Sequence, residues 1–187
     1  MFENFRLKML NRRAASPKYK PDEIIKSLKI HKGDVIADIG AGGGYFTFEF
    51  SREVGENGKV YAVDTNKNSM KFIGDESVKK GIENIMTVIA GGDGLYLPEK
   101  VNLIFLRNVF HHLPEPAEYF KKINSFLNED GKVAIIDYSK KGTSFIGITG
   151  HYVPEKVLID ELEKAGFYPS ERFDFLPEQS FIIFKRK

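Results

Sequence analysis

The sequence predicts a doubly wound α/β fold, a mostly parallel sheet with helices on both faces, and three observations carry that expectation. Apolar, β-branched runs alternate along the chain with stretches of helical periodicity, the rhythm of successive strand–helix–strand units. One buried run, Val35–Ile39, passes straight into the glycine cluster Gly40-Ala41-Gly42-Gly43-Gly44 and then into a helix. Near the end, two apolar runs are joined by a link too short for a parallel return, so the last pair must be antiparallel. A chain of 187 residues suits one domain with small appendages. The expected division is an N-terminal lid or helical extension over residues 1–20 and a main domain over 21–187.

Strands are expected at Val35–Ile39, Val60–Asp64, Ile85–Ala90, Val101–Leu106 and Val133–Asp137. Helix Tyr45–Val54 sets Phe46, Phe50 and Val54 on one face and stops at Gly55, a residue suited to the left-handed position after a helix. Ser69–Lys80 ends in the same way at Gly81. Pro116–Leu127 aligns Phe120, Ile123 and Leu127, and Pro154–Ala165 opens with proline and closes before Gly166. Strands Phe167–Phe175 and Phe181–Phe184 then form the antiparallel pair. Met1–Pro21 and Lys140–Tyr152 are expected to be loose.

Composition narrows the chemistry. With no cysteine, disulfides, thiolate metal sites and thiol nucleophiles are excluded, and catalysis must use oxygen or nitrogen groups. No apolar run approaches the roughly 20 residues that span a bilayer, and the N-terminus has no continuous apolar core of a leader, so a cytoplasmic protein without a membrane span is expected. The net charge of +2 is uneven: residues 1–32 carry nine Lys/Arg against three Asp/Glu, and the remainder 19 against 23. The basic head is either a solvated helix face or a contact for an anionic partner.

The stretch VIADIGAGGGYFTFEF, residues 35–50, is the most informative. Glycines admit close backbone approach and positive φ, and the helix behind them points N–H groups at whatever binds. A dinucleotide fingerprint would need a third glycine where Tyr45 stands. The sequence reads instead Asp38-x-Gly40-x-Gly42-x-Gly44. Asp64 closes the second strand, where a carboxylate can accept from two ribose hydroxyls. Asp93 follows the third strand in GGDGLYLP, and the fourth ends in LRNVFHHLP.

On these motifs the chain, from about Tyr19 to its end, resembles the class I S-adenosylmethionine (SAM)-dependent methyltransferases of the small-molecule branch. The resemblance implies a seven-stranded sheet of order 3-2-1-4-5-7-6 with strand 7 antiparallel, SAM as cofactor and S-adenosylhomocysteine as product. It implies that Asp64 meets the ribose, Asp93 the adenine amino group and Asp38 the methionine end. It also places Tyr19, Ala41, Thr65, Gly92, Gly94, Arg107 and Asn108 with Gly40, Gly42 and Gly44 around the cofactor. Tyr19, in KYKPDEII, resembles an N-terminal family segment that folds over the cofactor. Met1–Lys20, with Phe2, Phe5 and Met9 at near-helical spacing among basic residues, is expected to form a lid.

Methyl transfer from a sulfonium asks the protein mainly to align donor and acceptor in a dry pocket. An acceptor proton needs a base, and His111 and His151 are the leading candidates beside His112, Asp137 and Tyr152. The rings of adjacent His111 and His112 are expected to diverge, so no metal site is expected. Tyr19 and Tyr45 could offer aromatic faces to a sulfonium. The expected partner is a small-molecule acceptor and no nucleic acid. An RNA or protein methyltransferase, an NAD-linked oxidoreductase and a non-catalytic SAM-binding protein stay open as alternatives, and the residues name neither the acceptor atom nor the oligomeric state.

Overall fold

A computed structural model describes residues 2–91, 95–139 and 152–187. Seven strands form one sheet in the order β3-β2-β1-β4-β5-β7-β6. They are β1 Val35–Ile39, β2 Lys59–Asp64, β3 Ile85–Ile89, β4 Val101–Arg107, β5 Leu127–Tyr138, β6 Phe167–Phe173 and β7 Gln179–Arg186. The expected order and the antiparallel seventh strand are both observed. The chain divides into two compact units, residues 1–101 and 102–187.

In the first unit β1, β2 and β3 pair in parallel, with Asp38 opposite Ala62 and Asp64 opposite Ile89. Four helices accompany them: α1 Phe2–Ala14, α2 Pro21–Ser27, α3 Tyr45–Val54 and α4 Lys67–Lys79. Helix α3 follows the expected pattern, burying Phe46, Phe50 and Val54. Helix α4 starts two residues earlier than expected because the Asn66 side chain caps it, accepting from Asn68 N–H at 2.8 Å and Ser69 N–H at 3.4 Å.

The clearest departure is at the N-terminus. Residues 2–14 form a regular helix rather than a loose segment, and Leu7 is fully buried. Phe5 and Met9, the near-helically spaced apolar residues of the segment, are 60% and 54% exposed. One turn of helix carries two apolar faces here, and the face holding Leu7 wins because it brings a carboxamide, Asn11, to backbone groups that need partners.

In the second unit β5 and β7 pair antiparallel from Lys132 with Lys185 to Tyr138 with Gln179, and β7 pairs with β6 across a bulge at Pro169/Glu171. Helices α5 Pro116–Asn124 and α6 Glu155–Lys164 belong to this unit. Helix α5 stops short of the expected Leu127, and β5 begins at that residue. Leu127 sat at helical spacing, yet Ser125 caps the helix and the Phe126 N–H turns back to the Ile123 carbonyl. Phe181, Ile182, Ile183 and Phe184 are all buried, so β7 is a core strand on both faces. Among the described residues no helix is long and apolar enough to cross a membrane.

Candidate functional site

The first unit holds the glycine turn. Both Gly40 N–H and Ala41 N–H donate to the Val63 carbonyl, at 2.8 and 3.0 Å, which ties the end of β1 to the end of β2. Gly42 N–H donates to Asp64 Oδ2 at 2.9 Å, and Asn66 N–H to Asp64 Oδ1 at 2.9 Å. The half-buried Asp64 carboxylate is therefore held by two backbone donors, one from each turn, and each of its oxygens keeps a further lone pair for a ligand hydroxyl. Gly44 takes φ 86° as the N-cap of α3, a conformation a side chain would resist.

Helix α1 closes the far side of this turn. Asn11 donates from Nδ2 to the Gly43 carbonyl at 2.7 Å and accepts the Tyr45 N–H at 3.1 Å, so a side chain from residue 11 satisfies the first helical amide of α3. A Cβ on Gly43 would land 2.5 Å from the Leu7 carbonyl oxygen, and closer still to the Asn11 carboxamide. Glu3, one end of the same helix, accepts from Asn66 Nδ2 at 3.4 Å and also from Asn68 Nδ2. Thus α1 straps the glycine turn to the turn after β2. Nothing in the sequence marks Asn11 beyond its four-residue spacing from Leu7, which puts both on one face.

Asp38 is buried and accepts the Thr47 hydroxyl at 2.6 Å. Burial pushes its carboxyl up to about 7; the Thr47 hydrogen bond opposes that rise and the Asp64 charge adds to it. Two carboxyl groups thus feel each other at the strand ends beside the glycine turn. Such a pair suits a cationic ligand, since a positive charge would let both ionise. Ala41 packs half-buried against the Ala62, Met70 and Ile73 cluster, and Thr65 is exposed beside Asp64. The Tyr19 hydroxyl accepts from Arg13 Nε at 3.2 Å, and Arg13 and Lys18 each lie 5.6 Å from its ring centre, so the ring already draws cations. Tyr45 stands edge-on to Phe46. Gly92, Asp93, Gly94 and His151 lie outside the described residues.

The second unit holds the candidate base. His111 sits on a single 3-10 turn, Phe110–His112, anchored by the Phe110 ring stacked 5.9 Å from Phe120. Its Nδ1 lies 2.9 Å from Asp137 Oδ1, and Asp137 also accepts the backbone N–H of His111 at 3.2 Å and of Tyr138 at 2.8 Å. Asp137 is 1% exposed and surrounded by donors, which makes it the acceptor and assigns the imidazole proton to Nδ1. The His111 and His112 rings do not diverge: their centres are 3.9 Å apart, because the 3-10 turn holds the two residues side by side. Among the described residues no three His, Asp or Glu groups cluster as metal ligands. Arg107 is half-buried at the end of β4, and Asn108 takes φ 57° and accepts Gln179 Nε2 at 2.7 Å. The start of β7 therefore fixes the side chain of Asn108, a pairing across 71 residues that no local pattern encodes.

The family model described as a methyltransferase domain matches residues 30–168. The chain belongs to the methyltransferase-domain family. Membership supports SAM, the cofactor the resemblance implies, and sets the NAD-linked alternative aside. A demethylmenaquinone methyltransferase of Lactobacillus johnsonii is 26% identical over 125 residues, covering 63% of this chain and 49% of that protein. A ubiquinone/menaquinone biosynthesis C-methyltransferase UbiE of Pseudomonas paraeruginosa is 30% identical over 123 residues, covering 63% and 46%. The chain spans about half the length of these relatives. A SAM-dependent methyltransferase structure from Aquifex aeolicus covers 98% of both chains with a TM-score of 0.86 at 24% identity, which establishes the fold.

Proposed function

We propose that this methyltransferase methylates a small, electron-rich acceptor of the quinol type, with Asp38 and Asp64 holding the cofactor at the glycine turn and His111 accepting the acceptor's proton. The observation that carries the cofactor half is the Asp38–Asp64 pair, two carboxyl groups at adjacent strand ends with one kept protonated by burial to about pH 7. SAM when bound supplies a methyl group activated by a sulfonium. The chain's own residues do the rest. Asp64, oriented by Gly42 and Asn66 N–H, offers lone pairs to ribose hydroxyls. Asp38, once ionised, offers a negative charge to the cationic methionine end. The remaining cofactor contacts of this reading are Tyr19, Gly40, Ala41, Thr65, Gly92, Asp93, Gly94, Arg107 and Asn108.

For the acceptor, Asp137 holds His111 with its Nδ1 proton in place, so Nε2 is the nitrogen with a lone pair and can take a proton from a phenolic or enolic oxygen. The quinol-type acceptor is supported by the two relatives above, a demethylmenaquinone methyltransferase and a ubiquinone/menaquinone biosynthesis C-methyltransferase. This reading places the enzyme in the cytoplasm.

Calorimetric titration with SAM, S-adenosylhomocysteine and NAD in parallel tests the cofactor half. Binding of the first two with no response to NAD is expected; silence to both adenosyl ligands would remove the reading. Incubation with methyl-labelled SAM and a panel of demethylated quinols, catechols and amines tests the acceptor. Label on a ring carbon or phenolic oxygen is expected, and label confined to added RNA or protein would overturn the small-molecule assignment.

A further inference from the structure

Helix α1 shows one face to the glycine turn and another to solvent. The inner face carries Leu7 and Asn11. At roughly 100° per residue, Phe5 and Met9 lie about 40° apart on the opposite side. Both are more than half exposed. The same geometry sets Lys8 and Arg12 along one border of that stripe and Arg6 and Arg13 along the other, all four exposed. Leu10, also exposed at 41%, lies toward the inner face. The helix is thus an apolar ridge between two cationic rows, on a helix fixed to the domain by its other side.

We infer that this outer face of α1 is a docking surface for an anionic lipid bilayer. A helix lying in the interface plane places aromatic and aliphatic side chains below the headgroups and Lys/Arg among them. That arrangement matches the Phe5/Met9 ridge with its flanking cations. A second copy fits poorly, because apposing two such faces would bring four cations of each against one another. The surrounding segment reinforces the charge: residues 1–32 hold nine Lys/Arg against three Asp/Glu. Because the inner face of α1 closes the glycine turn, the bilayer would lie on the far side of the helix from that turn. The inference stands on α1 alone and does not depend on the acceptor proposed above.

The test is sedimentation of the full chain with vesicles of phosphatidylcholine, with and without 30% phosphatidylglycerol in order-of-magnitude composition, at low and high salt. Binding to the anionic vesicles alone, weakened by salt, is expected. Lys8→Gln with Arg12→Gln should weaken it about 25-fold, at roughly fivefold for each cation near the surface. Phe5→Ser with Met9→Ser should weaken it at least about fivefold, since apolar burial adds to the electrostatic attraction. Both double variants change exposed positions, so unchanged helical circular dichroism and unchanged S-adenosylhomocysteine affinity identify a surface effect. No vesicle binding would overturn the inference. So would vesicle binding indifferent to the Phe5/Met9 change, since that is adsorption by charge alone. Preferential binding of an RNA oligonucleotide, or salt-resistant dimerisation lost in the Phe5/Met9 variant, would overturn it as well.

Discussion

At the scale of single residues, Asp38 gives the sharpest test because its environment fixes the sign of a pH effect. Its carboxyl is raised from 3.8 to about 7, chiefly by burial. Between these values the unfolded chain has lost the proton and the folded chain has kept it, so stability falls as pH rises through that window and levels off above it. The fall is of order 4 kcal/mol at most, taking about 1.4 kcal/mol per pKa unit. Asp38→Asn should flatten the Tm profile between pH 4 and 7, in the order of magnitude set by that window, measured by thermal melts. A cationic ligand favours the ionised form, so SAM binding in the wild type should release a proton below neutrality and tighten as pH rises toward about 8. Calorimetry in buffers of different ionisation enthalpy reads that proton directly, and Asp38→Asn should abolish it.

Asp64→Ala should weaken SAM binding about 100-fold, since it removes an acceptor of charge-assisted hydrogen bonds and frees the Gly42 and Asn66 amides it organises. His111→Ala should lower kcat by about 10²–10⁴ with little change in SAM affinity. Asp137→Asn should do likewise, because an amide no longer dictates which imidazole nitrogen carries the proton. A normal kcat in either variant would leave the pair a purely structural contact.

At the scale of elements, α1 and the glycine turn form one unit of structure. Gly43→Ala forces a methyl group against the Leu7 carbonyl and Asn11, which must push α1 away. A loss of about 1–3 kcal/mol is expected from such overpacking, together with weaker SAM binding. Adding Asn11→Ala should relieve part of it, and a thermal double-mutant cycle should show coupling above about 0.5 kcal/mol. Strict additivity would mean that α1 does not touch the turn in solution. The element scale also shows where sequence periodicity misleads. Phe2, Phe5 and Met9 form a better apolar series than Leu7 alone, yet Leu7 is buried, because tertiary contacts and not the local pattern choose which helix face turns inward. Leu127 shows the same failure in α5: it continues a helical spacing, but the chain has already turned at Ser125 and Phe126.

At the scale of the whole molecule, cofactor binding and folding are linked. SAM at 100 times its Kd should add about 2.7 kcal/mol, a rise of roughly 5–10 °C in Tm for a chain of this length, whereas NAD should add nothing. The C-terminal hairpin is integral to the same stability: Phe184, fully buried in β7, should cost about 3–5 kcal/mol when changed to alanine. Denaturant unfolding checks that loss.

Legible in the residue order alone are the fold class, the order of the sheet through its resemblance to a family, helix α3 to the residue, and the Asp38–Gly44 turn with Asp64 beside it. Those features are written in local periodicity and short-range spacing, where one residue constrains the next few. Packing in three dimensions settles that Asn11 satisfies the first amide of α3, that Asp137 orients His111, that Gln179 secures Asn108, and that Phe5 and Met9 face outward. Each of these joins residues distant along the chain or chooses between two faces of one helix, and such choices are made by which polar groups find partners when the elements pack.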